Sequence, residues 1–286
     1  MAITADQIPA QSQDKQPAHE HEMNPSPVYD RDSYKGSGKL SGKVALITGG
    51  DSGIGRSVAV LYAKEGADVA ISYLDEQQDA EKTKQAVEAQ GRKCLLLPGD
   101  ISNESFCKEI VQKTVDEFGK LDILVSNAAE QYLEDELDEI DAARLGSIFS
   151  TNVFPMFYLS AAALPHLKEG SSIIITTSIN AYKGNGPLLS YSTTKGANLA
   201  FLRSLSQRLM DKGIRVNGVA PGPIWTPFIP DAFPAEKVEG FGKQVPMNRP
   251  GQPVEVGTCF VFLASEDASY MTGQVLHPNG GVVVGA

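Results

Sequence analysis

An α/β fold, a single domain with a seven-stranded parallel sheet doubly wound between two layers of helices, is predicted by three observations. From Lys43 onward, short apolar runs alternate with longer amphipathic segments, the pattern of β-α-β units whose strands are covered on both faces. A glycine-rich turn follows directly on the first apolar run. Polar, turn-forming residues recur at the ends of the later runs, along the edge where an open parallel sheet gathers its ligands.

The apolar runs VALIT (44–48), DVAISY (68–73), CLLL (94–97), DILVS (122–126), SIIITT (172–177), IRVNGVA (214–220) and GQVLH (273–277) predict the seven strands. Between the first two, Val58, Leu61, Tyr62 and Ala63 recur at helical spacing, and Gly66 stands where a helix C-cap is wanted. Further helices are predicted at about 76–90, 103–118, 137–168, 191–212 and 253–265, with Pro155 breaking or kinking the one that contains it. Residues 1–40 are different: Gln, Pro, His, Asp and Glu dominate and the apolar residues have neither helical nor strand period. They are read as a disordered or extended, solvated arm, preceding a domain that runs over 41–286. His19-Glu20-His21-Glu22 resembles a metal tract, but no further ligands stand at fitting spacing, and no metal is expected.

Composition narrows the function. A 286-residue chain with 42% hydrophobic residues supplies a full core without staples. Three cysteines with no C-x-x-C spacing support neither a disulfide framework nor a zinc ribbon, so a reducing, cytoplasmic setting is expected. No apolar stretch has the length of a membrane span. A formal charge of -10 gives no basic footprint for nucleic acid.

The chemistry begins at Thr48-Gly49-Gly50-Asp51-Ser52-Gly53-Ile54-Gly55, between the first strand and the first helix. Glycines let the backbone turn tightly and approach a pyrophosphate, and the helix start offers free N–H groups with the positive end of the dipole. The spacing is G-x-x-x-G-x-G and not the commoner G-x-G-x-x-G. Gly49, Asp51, Ser52, Gly53, Ile54 and Gly55 are the dinucleotide candidates here. Later strand ends add Tyr73, then Asp100 and Ile101, then Asn127, Ala128 and Ala129, then Ser178, and finally Pro221, Gly222, Ile224 and Thr226. Tyr191 and Lys195 lie one helical turn apart in SYSTTKG. An ammonium so placed favours a phenolate and is expected to lower the tyrosine pKa from its ordinary value of about 10, making Tyr191 an acid/base.

Taken in order, TGGDSGIG, NAA, Ser178, YSTTK and APGPIWT resemble the short-chain dehydrogenase/reductase family over roughly residues 40–286. Within it, the arm followed by KLSGKVALITGGDSGIGR and the ending LHPNGG are most similar to bacterial general-stress and aldehyde-reductase members, near glucose dehydrogenases. The resemblance implies a Rossmann-type fold and hydride transfer between NAD(P)(H) and a carbonyl or alcohol, an aldehyde, a ketone or a sugar. It carries a catalytic set onto Asn152, Ser178, Tyr191 and Lys195, with Tyr191 thirteen positions after Ser178. In that set Ser178 bonds the substrate oxygen, Lys195 tunes Tyr191 and holds the nicotinamide ribose, and Asn152 helps anchor a proton-relay water. Without the resemblance Asn152 reads as an ordinary polar residue inside a helix. A serine hydrolase is disfavoured: no G-x-S-x-G surrounds Ser178, and only His166 and His277 lie outside the arm. The alternative function is a non-catalytic dinucleotide-binding regulator on the same fold.

Cofactor choice is less sharply written. Tyr73 holds the place after the second strand where NAD-selective relatives carry an acid, which tilts the expectation slightly to NADP, with dual use open. No cation stands in the glycine turn or just after the second strand, and Arg56, the nearest, is read as facing solvent. The proline- and aromatic-rich stretch of about 226–253 is read as a substrate lid, its Phe228, Ile229, Phe233, Phe241 and Val245 forming either an apolar cover or a small satellite core. Gln131, Asn180 and Tyr182 are the polar wall candidates. Helix 253–265 and the ending VVVGA resemble segments that pack between subunits in tetrameric relatives, so a homotetramer is expected.

Overall fold

The computed structural model describes residues 3–284. The predicted parallel sheet is present, with β1 (Val44–Thr48), β2 (Asp68–Tyr73), β3 (Cys94–Pro98), β4 (Ile123–Ser126), β5 (Ser172–Thr176), β6 (Arg215–Val219) and β7 (Val275–Leu276) in the order 3-2-1-4-5-6-7. β1 is central, Leu46 standing in register with Ala70 on one side and Leu124 on the other. Alternation along each strand sends side chains into two cores. Ala45, Ile47, Ile123, Val125 and Ile174 face one; Leu46, Leu124, Ile173 and Ile175 face the other. Strands covered on both sides read as unbroken apolar runs for this reason.

The first core lies under α1 (Gly53–Lys64), α2 (Gln77–Glu88) and α10 (Pro253–Ala264), the second under α3 (Glu104–Phe118), α5 (Phe154–Ala163) and α7 (Leu189–Leu209). The predicted 137–168 helix is divided: a 3₁₀ turn at Leu137–Glu139 precedes α4 (Ala142–Asn152), and Val153 separates α4 from α5. Pro155 occupies the first turn of α5, where its missing N–H leaves no bond unmade. α7 stops at Leu209 and passes through a 3₁₀ turn to Gly213, whose φ of 66° reverses the chain. Short helices α6 (Asn180–Lys183), α8 (Phe228–Ala232) and α9 (Ala235–Val238) complete the set.

The arm is extended with two 3₁₀ turns, Ala5–Gln7 and Glu20–Glu22, but it is not solvated throughout. Ile8 and Met23 pack with Trp225, Ile229 and Val238 into a satellite core. The Trp225 indole donates to the Pro25 carbonyl at 2.7 Å, and the Gln252 side chain accepts from Val28 N at 2.9 Å. Aperiodic apolar residues plug separate holes here, so they leave no periodic signal in the sequence. Among the described residues no helix is long and apolar enough to cross a membrane, and the three cysteines are free.

α1 and α10 cross at Gly257, where an added Cβ would stand 2.6 Å from Ser57 Oγ and 2.8 Å from Leu61 Cδ1. Gly257→Val is expected to lower unfolding free energy by about 1–3 kcal/mol in a urea titration, because overpacking outweighs the gain in helix propensity.

Candidate active site

A cleft of about 960 Å³ opens along the carboxyl edge of the sheet, large enough for a dinucleotide-sized ligand. Three strand ends are tied together at its floor. Thr48 Oγ1 accepts from the N–H groups of Asn127 at 2.9 Å and Ala128 at 3.1 Å, and the Asn127 amide donates to the Thr48 and Gly49 carbonyls at 3.2 Å. Thr176 Oγ1 donates to Asn127 Oδ1 at 3.1 Å, and Lys195 Nζ donates to the Thr176 carbonyl at 3.0 Å.

Gly49, Asp51, Ser52, Gly53 and Ile54 line the cleft at the end of β1. Gly49 and Gly53 have φ of 61° and 50°, the left-handed region that glycine enters without strain. Gly55 does not line the cleft; an added Cβ there would meet the Gly49 carbonyl oxygen at 1.8 Å, so it is the residue that lets the turn close. Tyr73, Asp100, Ile101, Asn127, Ala128, Ala129, Ser178, Pro221, Gly222, Ile224 and Thr226 all line the same cleft.

Arg56 corrects its sequence reading. It is fully buried, its guanidinium donating to the Asp51 carbonyl from Nε at 2.9 Å and Nη2 at 2.7 Å, and pairing with Asp79 and Glu20. A buried guanidinium needs such partners, and the side chain is thereby committed away from solvent. The end of β2 also differs from expectation. Glu76, three residues past Tyr73, turns its carboxylate back so that Oε2 accepts from Leu74 N and Asp75 N at 3.2 Å, while Oε1 is buried with no partner. With Asp51 it lines the cleft. Burial, then the Glu76 carboxylate, pushes the Asp51 carboxyl up to about 7; burial raises Glu76 as well. The only trace of this in the sequence was the pair Asp75-Glu76 at the start of a helix.

At the other end Ser178, Tyr191 and Lys195 meet in the cleft. α7 presents Tyr191 and Lys195 one turn apart, and Glu134 accepts from Ser190 N at 3.0 Å to cap its start. Lys195 Nζ stands 5.5 Å from the centre of the Tyr191 ring. The expected lowering of the tyrosine is absent from the protein alone. Burial pushes Tyr191 up to about 12, with the Ser178 hydroxyl opposing, and burial pulls Lys195 down to about 7. Desolvation of both groups outweighs their mutual effect, because the lysine is turned to a backbone carbonyl and neither meets a full opposite charge. Asn152 lies outside the cleft. Its Oδ1 accepts from Glu130 N at 2.8 Å, and Nδ2 donates to the Glu130 carbonyl at 2.8 Å and to Thr194 Oγ1 at 3.1 Å, tying α4 and the post-β4 loop to α7. Asn198, with its amide oriented to donate, reaches the Asn152 carbonyl at 3.0 Å.

Gln131 and Asn180 line the cleft, whereas Tyr182 does not; its ring packs edge-on against His277 at 4.8 Å. Phe228, Ile229, Phe233, Phe241 and Val245 line the cleft, and of these Ile229, Phe233 and Phe241 also join the satellite core. Among the lining residues without a counterpart in the sequence reading are Gln16, Pro17 and Ala18 of the arm. Glu130 and Asp231 were missed as well. Burial raises both, Asp231 to about 7. The His19, His21 and Glu22 ligand atoms lie within 4.8 Å of one another, but the imidazole nitrogens face Lys15, Glu22 and Asp79.

A parallel α/β sheet with a glycine turn at its first strand end and a Ser/Tyr/Lys set in the same cleft defines a dinucleotide-dependent oxidoreductase. The family model described as enoyl-(acyl carrier protein) reductase matches residues 49–283. The chain is 59% identical to General stress protein 39 of Bacillus subtilis (strain 168), over 98% of each chain. It is 53% identical to NADPH-dependent aldehyde reductase 1, chloroplastic, of Arabidopsis thaliana, covering 96% of this chain and 98% of that one. A solved short-chain dehydrogenase/reductase, the glucose/ribitol dehydrogenase from Brucella melitensis, superposes with a TM-score of 0.76 at 31% identity, covering 88% of this chain and 100% of that one. The chain belongs to the short-chain dehydrogenase/reductase family, and it is an NAD(P)-dependent oxidoreductase.

The residues present fit that cofactor: Gly49 and Gly53 line the cleft with bare backbone, and Glu76 Oε1 is a buried carboxylate oxygen without a partner that could accept from a hydroxyl. A carboxyl whose pKa is raised on folding stabilises below its unfolded value, and that contribution is lost as pH rises through the folded one. For Asp51 the window runs from 3.8 to about 7. The melting temperature of Asp51→Asn relative to wild type is therefore expected to climb between pH 4 and pH 8, by at least about 2 °C, the shift that ~1 kcal/mol gives in a domain of this size. A flat difference by calorimetry would exclude a raised Asp51.

Proposed function

We propose that the protein transfers a hydride between NAD(P)(H) and a carbonyl or alcohol substrate, an aldehyde, ketone or sugar, with Tyr191 as general acid/base. The observation that carries this is the meeting of Ser178, Tyr191 and Lys195 in the cleft that also contains the glycine turn. Gly49, Asp51, Ser52, Gly53, Ile54 and the residues at the ends of β2, β3, β4 and β6 would hold the dinucleotide, with Lys195 at the nicotinamide ribose. When bound, that group supplies or accepts the hydride.

The remaining chemistry belongs to the chain. Ser178 Oγ donates to the substrate oxygen and steadies its developing charge. A phenol held at about 12 is neutral at physiological pH, so Tyr191 is set to give a proton to the nascent alkoxide, the direction of carbonyl reduction. In alcohol oxidation the same oxygen must receive the proton, which requires the positive charge of the oxidised nicotinamide nearby to favour phenolate. Asn152 acts at a distance, by fixing α4 against α7 between Tyr191 and Lys195.

NADP is slightly favoured, with dual use. The reading draws support from the name of the NADPH-dependent relative. Residues of about 226–253 form the substrate lid of the 41–286 domain. The substrate class draws on relatives named as an aldehyde reductase and a glucose/ribitol dehydrogenase. The setting is cytoplasmic. The assembly is a homotetramer, a reading supported by the exposed apolar side chains Leu145, Phe154 and Phe157 on α4 and α5. Most of α10 is already used against α1 within the chain, and the last two residues of VVVGA lie outside the described part.

Tyr191→Phe is expected to slow reduction of an aldehyde or sugar panel at least about a hundredfold, with NADH and NADPH affinities unchanged by fluorescence titration; near wild-type turnover would sink the acid/base assignment. Sedimentation velocity should give four times the 30.6 kDa chain mass, and a monomer mass at physiological salt would overturn the tetramer.

A further inference from the structure

The arm lies outside the family match, which begins at residue 49. It nevertheless crosses the cleft and is fastened on both banks. On the side of the glycine turn, Lys15 Nζ stands 3.1 Å from Asp75, two residues past β2. Glu20 is 1% exposed; its Oε2 accepts from Gly53 N at 2.7 Å, its Oε1 pairs with Arg56, and its own N–H donates to Asp79 Oδ2 at 2.8 Å. On the side of the lid, the Gln16 amide donates to the Gln131 carbonyl at 3.0 Å, and Gln13 N donates to the Pro230 carbonyl at 2.8 Å. Between these fastenings Gln16, Pro17 and Ala18 form part of the cleft lining.

The charges explain why this segment is fixed. A carboxylate taken out of water is tolerated only when paired and fully hydrogen-bonded. Arg56, itself fully buried, supplies the pairing. The same guanidinium makes two bonds to the Asp51 carbonyl, in the middle of the glycine turn. Glu20 therefore grips the turn twice: directly at the Gly53 amide, and through Arg56 at Asp51. Among the described residues only Glu20 accepts from the Gly53 amide, while Asp79 shares Arg56 with it, approaching from the α2 side at 3.1 Å.

We propose that the arm is a built part of the dinucleotide site, in which Glu20 is a positioning residue that fixes the glycine turn and Gln16–Ala18 form a wall that the bound dinucleotide touches. This rests on the NAD(P) reading of the cleft. The backbone of the glycine turn is thus held from outside the 41–286 domain. The strap also links the turn to α8, so that dinucleotide and substrate lid share a boundary.

The full-length protein tests this with NADH and NADPH as probes. Glu20→Gln removes the charge that Arg56 faces while keeping an oxygen for the Gly53 amide. It is expected to weaken dinucleotide binding at least tenfold, with kcat at saturating dinucleotide and the carbonyl KM within twofold of wild type. Gln16→Ala, at a partly exposed position that folding tolerates, should weaken the same binding at least threefold. In the wild type, amide exchange of Gln16, Ala18, His19 and Glu20 should slow when either dinucleotide is added, which an arm with a purely structural role would not show. If Glu20→Gln fails to fold, Gln16→Ala and the exchange measurement decide. Unchanged affinity in Gln16→Ala together with unchanged exchange overturns the proposal even though the protein still binds dinucleotide. Wild-type protein that binds neither dinucleotide overturns the cofactor reading and this inference with it.

Discussion

The cleft depends on how closely the backbone of the glycine turn approaches its neighbours. Gly55 packs against the Gly49 carbonyl with no room for a single methyl, and Thr48, Asn127 and Thr176 then bind the ends of β1, β4 and β5 into one floor. Because the strands are parallel, their carboxyl ends all fall on this edge. Lys195 is anchored to the same floor through the Thr176 carbonyl. The glycine turn and Lys195 are thus parts of one hydrogen-bonded surface, in which a displacement of β1 would be felt at α7.

Desolvation sets the protonation of what stands on that surface. Tyr191 is raised, Lys195 lowered, and Asp51 and Asp231 raised, and in each the first cause is burial. Each group is held toward its neutral form while the protein stands alone. An incoming dinucleotide adds phosphates at one end and, when oxidised, a cationic ring at the other. Such a cation would favour the Tyr191 phenolate, whereas added phosphates would hold Asp51 further toward its neutral form.

The strands, the position of the glycine turn and the Ser178, Tyr191 and Lys195 set were legible because each is written in contiguous or near-contiguous residues. A period of two or 3.6 is local, and glycine at a strand end has few other uses. Arg56, Glu76 and the arm were not legible for the converse reason. Arg56 was read as solvent-facing because its partners Glu20 and Asp79 lie far from it in sequence. Glu76 came after the place where an acid was sought, and only the helix start that carries it brings the carboxylate back. The arm lacks periodicity because its buried residues fill holes made by other segments.

By itself the sequence determined the doubly wound parallel sheet, the edge at which chemistry collects and the residue types that meet there, since these follow from burial pattern and backbone freedom. Only the tertiary structure decided which charges are neutralised, which remain in the cleft and where residues 3–40 run. Electrostatic state depends on the distance between groups separated along the chain and on the water they lose. Those quantities exist only once the chain has closed on itself.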